Sequence, residues 1–298
     1  MAVAGLSVLI PIHNRPVGEL VNSLFAQITD WPGPVEIMLL DDFSSEKFRQ
    51  LNRPLGTLPG VTYHELARNV GRAAIRNQLA ATAPHEWLLL LDNDSLLPDP
   101  YFLARYAAAR HRAAVLIGGT CYEAAPPTDP ALHLRWHYGQ AREARPAAVR
   151  QAAPHGQLTI NNALIQADIF RRFSLDERLT GYGHEDTKFG IELAAAQVAI
   201  LHLDNPVLHD GLEQAAVFLH KSEQAVRNLA QVYRQDGLGT DSRLLRLALR
   251  LRGLGLAPVA RATLGAAVPA LRRQLLSAAP RLPLLDLLKL LWLLQELA

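Results

Sequence analysis

Cysteine is nearly absent: Cys121 is the only one in 298 residues, and methionine (two) and aromatic residues (6%) are scarce as well. A lone thiol cannot close an internal disulfide, which suits a reducing, cytoplasmic setting. Met1 to Ser7 lack the basic segment and apolar run of a signal peptide, so secretion is not expected. No Gly-x-Gly-x-x-Gly follows the first apolar segment, and no Gly-x-x-x-x-Gly-Lys-Ser/Thr occurs anywhere. A dinucleotide oxidoreductase and a P-loop phosphotransferase therefore lose their main support. The basic residues lie among leucines, with no finger, basic zipper or stacking motif, which argues against nucleic acid as a partner. What remains is a chain that is 49% hydrophobic and 19% charged, enough to bury a large core in one or two domains.

The most informative stretch is Trp87 to Pro98. Five apolar residues, Trp87 to Leu91, have the length of a strand buried on both faces, and they run into Asp92-Asn93-Asp94. Side chains at i and i+2 of an extended chain point the same way, so Asp92 and Asp94 converge just beyond the strand's carboxyl end. Open α/β sheets hold ligands there. Two such carboxylates repel unless a cation or donor lies between them, and hard oxygen ligands suit Mg²⁺ or Mn²⁺ carrying a diphosphate. Taken alone, the tripeptide reads equally as a polar turn.

Its surroundings repeat the pattern. Leu6 to Ile12 is a strand ending in His13-Asn14-Arg15, and a helical pattern with Leu20, Leu24 and Ile28 on one face follows. Val35 to Leu40 ends in Asp41-Asp42, Val61 to Glu65 is a third strand, and Asn69 to Ala83 is a loop and helix with Arg72 and Arg76 one turn apart. This alternation predicts an α/β fold with a parallel, doubly wound sheet. The loops at its carboxyl edge would gather Asn14, Asp41, Asp42, Arg76, Asp92 and Asp94 around one cleft. For Asp41 or Asp42 the competing role is capping the helix that begins near Ser44, and Arg72 and Arg76 read equally as solvated helix charges.

Ser7-Val8-Leu9-Ile10-Pro11-Ile12-His13-Asn14-Arg15, Leu39-Leu40-Asp41-Asp42-Phe43-Ser44, Asn69-Val70-Gly71-Arg72 with Arg76-Asn77, and Leu91-Asp92-Asn93-Asp94 together resemble the successive motifs of family 2 glycosyltransferases with the GT-A fold. With the later motifs the resemblance covers roughly residues 6 to 235, and four motifs in order are far more specific than one. The resemblance implies a mostly parallel GT-A-like sheet, and a nucleotide-sugar donor, expected to be a UDP-sugar. It implies that Pro11, Asn14, Asp41 and Asp42 lie toward the base, and that Arg76 and Asn93 belong to the donor site. Asp92 would face the ribose or the metal, and Asp94 the metal.

Further along, residues 122 to 157 are rich in Pro, Ala and Arg and read as a long excursion on the acceptor side. Arg135-Trp136 within it resembles part of the Gln-x-x-Arg-Trp box of processive synthases. Leu132 stands where Gln would be, and the segment precedes the acidic motif instead of following it, which implies non-processive action. Gly181-Tyr182-Gly183-His184-Glu185-Asp186 resembles the family's glycine-rich turn and Glu-Asp helix start, implying acceptor binding and a catalytic base at Asp186, with Glu185 beside it. A carboxylate at a helix N-terminus is favoured by the dipole, so Asp186 is expected to be ionised. His209 lies where a metal-completing histidine stands in several related transferases, and imidazole tilts the choice toward Mn²⁺.

Leu212 to Gln235 is a long helix, broken at Gly237-Leu238-Gly239, where the chain changes character. Residues 240–298 hold nine Arg or Lys against three Asp or Glu, and residues 1–239 hold 21 against 25. The expected division is thus a catalytic domain at 1–239 and a basic, leucine-rich helical region at 240–298. Arg243, Arg246 and Arg250 share a face opposite Leu244, Leu247 and Leu251. A spanning helix over 253–271 would carry Arg261 at its centre, a penalty of about 3 kcal/mol. Two readings therefore stay open for this region: contact with the inner membrane face, near a lipid-linked acceptor, or leucines buried against protein. The function implied is metal-dependent, inverting transfer of a hexosyl or N-acetylhexosaminyl group to a carbohydrate or lipid-linked acceptor in polysaccharide biosynthesis. The competing functions are a sugar-phosphate nucleotidyltransferase, which should show a Gly-rich loop where Pro11 to Arg15 stands, and an inactive nucleotide-sugar-binding relative, which should have lost Asp94 or Asp186.

Overall fold

The computed structural model describes residues 4–179 and 181–298. Its strands in chain order are β1 (Leu6–Ile12), β2 (Val35–Asp41), β3 (Val61–Glu65), β4 (Trp87–Leu91), β5 (Ser95–Leu96), β6 (Val115–Ile117), β7 (Thr120–Cys121), β8 (Asn162–Gln166), β9 (Ile200–His202) and β10 (Val207–His209). Seven form one sheet in the order β3-β2-β1-β4-β8-β6-β9, and β5, β10 and β7 form a small second sheet.

Alternation along the central strands divides the core in two. Leu6, Val8, Ile10 and Ile12 of β1, with Trp87, Leu89 and Leu91 of β4, pack on helices Gly18–Phe25 and Phe102–Ala109. Leu9, Leu88 and Leu90 face the other way, onto helices Arg72–Thr82, Ala167–Phe173 and Glu185–Ala195. A strand with a core on each side has no room for polar residues until it leaves the sheet, so its polar residues collect at its end. β1, β2, β3 and β4 run parallel, which sets His13, Asp42 and Asp92 along one edge.

The sheet is not parallel throughout, as the alternation predicted for its first half. β8 lies antiparallel between β4 and β6, with Leu91 opposite Asn162 and Ile117 opposite Ala163. Its amino end therefore reaches the edge where the others have their carboxyl ends, and Asn161 accepts a bond from the Asp92 amide there (3.2 Å). Residues 122–157 are mostly helical rather than an open excursion: Pro130–Leu132, His133–Tyr138, Gly139–Glu143 and Ala147–Gln151 are successive short helical segments.

A third core straddles residue 239. Phe218, Leu219, Val226 and Leu229 of helix Ala215–Asp236 pack with Leu285, Leu288, Trp292, Leu293 and Leu294 of helix Leu282–Glu296. Glu296 is within 3.0 Å of Arg234 and 3.5 Å of Arg227. Helix Arg243–Gly253 buries Leu245 and Ala248 and packs Leu244 and Leu251 of the expected apolar face against the same core, but leaves Leu247 exposed beside exposed Arg243, Arg246 and Arg250. Among the described residues no helix is long and apolar enough to cross a membrane.

Candidate active site

Two adjoining cavities open at the carboxyl edge. The smaller, about 110 Å³, is lined by Pro11, His13, Asp42, Arg76, Asn93 and their neighbours, and the larger, about 310 Å³, by residues that include Tyr122, Arg135, Tyr182, Asp186 and Lys221. Arg72, Asp92 and Asp94 line both.

The floor of the smaller cavity is held by local chemistry. Asp42 accepts bonds from the amides of Val70 (2.7 Å) and Gly71 (3.1 Å), and Gly71 takes a φ of 89° that a side chain would resist. This turn launches helix Arg72–Thr82, so Asp42 sets where Arg72 and Arg76 begin. Asp41 is fully buried and does not line either cavity; it accepts a bond from the Ser44 amide (2.6 Å), closing the loop after β2. Asn14 also lies outside both linings and ties the loop after β1 to the Ser45 amide (2.8 Å).

Asp92 is clamped by arginine. Its Oδ1 accepts from Arg76 Nη2, and Arg72 Nη2 stands 3.8 Å from its Oδ2. That pairing fixes Asp92 against helix Arg72–Thr82 while it still lines both cavities. Asp94 points elsewhere: its Oδ1 is 3.6 Å from His209 Nδ1. Burial would raise the Asp94 carboxyl, but neighbouring His209, Arg15 and Arg72 outweigh it and draw it down to about 2. Gly211 makes the approach possible, since a Cβ there would stand 2.7 Å from Asp94 Oδ2.

Among the described residues no group of three or more His, Cys, Asp or Glu converges as a metal cage, so Asp92, Asp94 and His209 do not meet as one ligand set. The Asp94–His209 pair by itself fits an ion. Ligands about 2.1 Å from one centre stand about 3 Å apart at a right angle, more at wider angles, and Mg²⁺-type ions take one or two protein ligands plus substrate phosphates. His209 Nε2 receives Arg135 Nη2 at 3.3 Å, which leaves the ring proton on Nδ1, facing Asp94, where a metal would displace it.

Glu185 and Asp186 divide their roles. Glu185 is buried and accepts from Arg72 Nε (3.1 Å); burial would raise it, but Arg72 and Arg76 hold it below the usual carboxylate range. It lines neither cavity, and its contact is with Arg72. Asp186 lines the larger cavity, with Oδ2 3.3 Å from the Ile160 amide and Oδ1 buried without a partner. Burial and the Glu185 charge push its carboxyl up to about 7 against the pull of Arg76 and Arg72. The helix dipole does not keep it fully ionised, because desolvation is the larger effect.

A family profile described as "Glycosyl transferase family 2" matches residues 7–170, more than half of the chain. The chain belongs to that family. No curated protein sequence matches it. Similar solved structures include TarS 1-349 of S. aureus in complex with UDP (18% identity, 75% of this chain and 65% of that one, TM-score 0.51). TarS 1-349 with UDP-GlcNAc aligns at 17% identity over 98% of this chain and 90% of that one, with a TM-score of 0.52. Mannosyltransferase PcManGT from Pyrobaculum calidifontis in complex with GDP-Man and Mn²⁺ aligns at 17% over 89% of this chain and 75% of that one, with a TM-score of 0.58. The chain thus spans about two thirds of the first TarS structure, and at these identities the likeness concerns the fold, which is GT-A-like.

Within this glycosyltransferase fold, several cavity residues have no role assigned by the sequence alone. Arg72, for which a solvated helix charge is the competing reading, is engaged: its guanidinium meets Glu185, Asp92 and the Tyr182 ring, 4.9 Å from the ring centre. Its spacing one turn before Arg76 was the available signal. Tyr182, Lys221 and Arg135 come from segments whose approach to the cleft depends on tertiary packing.

Proposed function

We propose that this protein transfers a hexosyl or N-acetylhexosaminyl group from a nucleotide-sugar donor, a UDP-sugar in the first instance, to a carbohydrate or lipid-linked acceptor, one unit at a time and with inversion. The observation that carries the proposal is the junction of the two cavities at Arg72, Asp92 and Asp94, with Asp186 on the wall of the larger one. A nucleoside diphosphate lying in the smaller cavity, near Pro11, His13, Asp42 and Asn93, would carry its sugar through that junction. The solved neighbours holding UDP, UDP-GlcNAc, or GDP-Man with Mn²⁺ support a nucleotide-sugar donor and a metal.

In the proposed step an acceptor hydroxyl oxygen attacks the anomeric carbon while the bond to the diphosphate oxygen breaks, and the hydroxyl proton passes to Asp186. A carboxyl near 7 suits that task, since it is free to accept a proton at neutral pH and basic enough to hold it. Arg72 and Arg76 supply fixed positive charge beside the leaving diphosphate, Asp92 orients both, and Glu185 orients Arg72. A Mn²⁺ or Mg²⁺ held by Asp94 and His209 would neutralise charge on the departing diphosphate.

Nucleotidyl transfer is the weaker reading, because no glycine lies between Pro11 and Arg15. The exposed Arg243, Arg246 and Arg250 around exposed Leu247 support reversible contact with an anionic inner membrane surface, each basic residue adding on the order of 1 kcal/mol. The deciding experiment is donor hydrolysis and transfer across a panel of nucleotide sugars, with and without Mn²⁺. Turnover of at least one donor that depends on the metal is expected, and no binding or turnover of any would refute the assignment.

A further inference from the structure

Apart from its bond to His209, Arg135 has no part in the reaction as proposed, yet it is one of the most constrained side chains of the larger cavity. It is 5% exposed and lines the cavity, with its guanidinium between the rings of Tyr122 (5.3 Å) and Phe218 (5.4 Å). Nη2 is fully used, by Glu143 (3.1 Å) and by His209 (3.3 Å), but Nη1 is buried with no partner. Glu143 is itself shared, since it also receives the Tyr122 hydroxyl. A cationic donor held rigid and left unsatisfied is costly unless a ligand completes it.

The charge around it is lopsided. The wall built from residues 119–161 and 209–221 carries Arg135, Arg142, Arg150 and Lys221 against only Glu143 and Glu213. Glu213 is engaged by Lys221 (2.9 Å), and Arg142 by Asp286 outside the cavity (2.9 Å). Arg150 is bonded to the carbonyls of Arg145, Ile117, Gly118 and Leu203 and to His202, so no carboxylate neutralises it by contact. The remaining lining carries Asp92, Asp94 and Asp186 with Arg72, and Asp94 adjoins the basic wall through His209.

Resting on the transferase reading of this cleft, we propose that the larger cavity receives a substrate group bearing an anionic oxygen, a carboxylate or a phosphate ester, seated on Arg135. The group belongs either to the transferred sugar or to the acceptor. Either way Arg135 is a specificity residue: it distinguishes a charged substrate from its neutral counterpart, as a site built for one partner rejects an analogue that leaves its buried group unpaired.

The test is calorimetric titration of the full chain with methyl glucoside, methyl glucuronide and glycerol 3-phosphate, each with and without UDP and Mn²⁺. The charged probes are expected to bind at least tenfold more tightly than the neutral glucoside, Arg135→Gln to abolish the difference, and Arg135→Lys to restore part of it. UDP-glucuronate set against UDP-glucose separates the sources: a preference there assigns the anion to the transferred sugar. A preference seen only with free probes while UDP is bound assigns it to the acceptor. Equal affinity of charged and neutral probes in the wild-type protein overturns the proposal, as does a preference that persists in Arg135→Gln. Should Arg135→Gln unfold, the wild-type comparison and Arg135→Lys decide alone. Failure of UDP to bind would sink the donor assignment while leaving the probe comparison readable.

Discussion

Asp186 is expected to make the protein less stable and more active for the same reason. Its carboxyl rises from the ordinary 3.8 to about 7 in the folded chain, so between these values the native state binds a proton that the unfolded state has released. Stability contributed by this group is therefore present at low pH and lost as pH climbs toward 7. From pH 5 to pH 8 the loss amounts to about 2–3 kcal/mol. Asp186→Asn removes the titration, so relative to wild type it should gain about that much between pH 5 and pH 8, whatever its pH-independent packing cost. Activity should move oppositely. A base titrating at about 7 is roughly one-eleventh ionised at pH 6 and ten-elevenths at pH 8, so the transfer rate should rise about tenfold, and Asp186→Asn should lower it by about 10² or more. Denaturant unfolding at the two pH values, with transfer assays on the same samples, reads both. A variant that keeps its turnover, or whose stability difference does not change with pH, would refute the reasoning.

Asp94→Ala is expected to weaken metal-dependent binding of a nucleoside diphosphate by about tenfold or more, and His209→Ala by less; unchanged calorimetric titrations in Asp94→Ala would remove the metal from this pair. Glu185→Gln deletes the charge that helps raise Asp186, so the midpoint of the pH–rate profile should fall below that of wild type. An unmoved midpoint would mean that the two carboxylates do not communicate. In liposome flotation the intact chain should rise with anionic vesicles and less so at high salt, and Arg243, Arg246 and Arg250 changed together to Gln should release it. Absence from the floating fraction at low salt would leave that face without a lipid partner.

Part of the polar edge was legible because strands buried on both faces leave their polar residues only at the ends, so β2 and β4 announced Asp42, Asp92 and Asp94; Asn14 and Asp41, expected beside them, line neither cavity, and His13, which does, was not singled out. The direction of β8 was not legible. Asn162 to Gln166 reads as the same apolar segment whichever way it runs, and only its place between β4 and β6 decides. The pairings of the acids were hidden for a related reason. Nothing in Asp92-Asn93-Asp94 tells that the first carboxylate meets two arginines from helix Arg72–Thr82 and the second a histidine more than a hundred residues later. In Glu185-Asp186 likewise, which side chain meets Arg72 and which meets the cavity depends on the turn that precedes them, with Gly181, Gly183 and His184 all at positive φ. The leucines after residue 282 could be counted but not assigned a partner until helix Ala215–Asp236 was in place.

That shared third core has a consequence for how the protein is made. Helix Ala215–Asp236 meets Leu134 and Tyr138, made before it, through Phe218, but the rest of the surface that covers Leu219, Val226 and Leu229 is synthesised only when the helices after residue 242 follow. The same helix supports the cleft, since Asn228 binds the Gly183 carbonyl (2.9 Å) just before Glu185 and Asp186. The sheet can fold early, as the amino-terminal part of a nascent chain generally does. The turn before Glu185 and Asp186 is tied to helix Ala215–Asp236 through the Asn228 bond. Until Leu282–Glu296 is made, the part of the helix face that it covers, with Leu219, Val226 and Leu229, remains exposed.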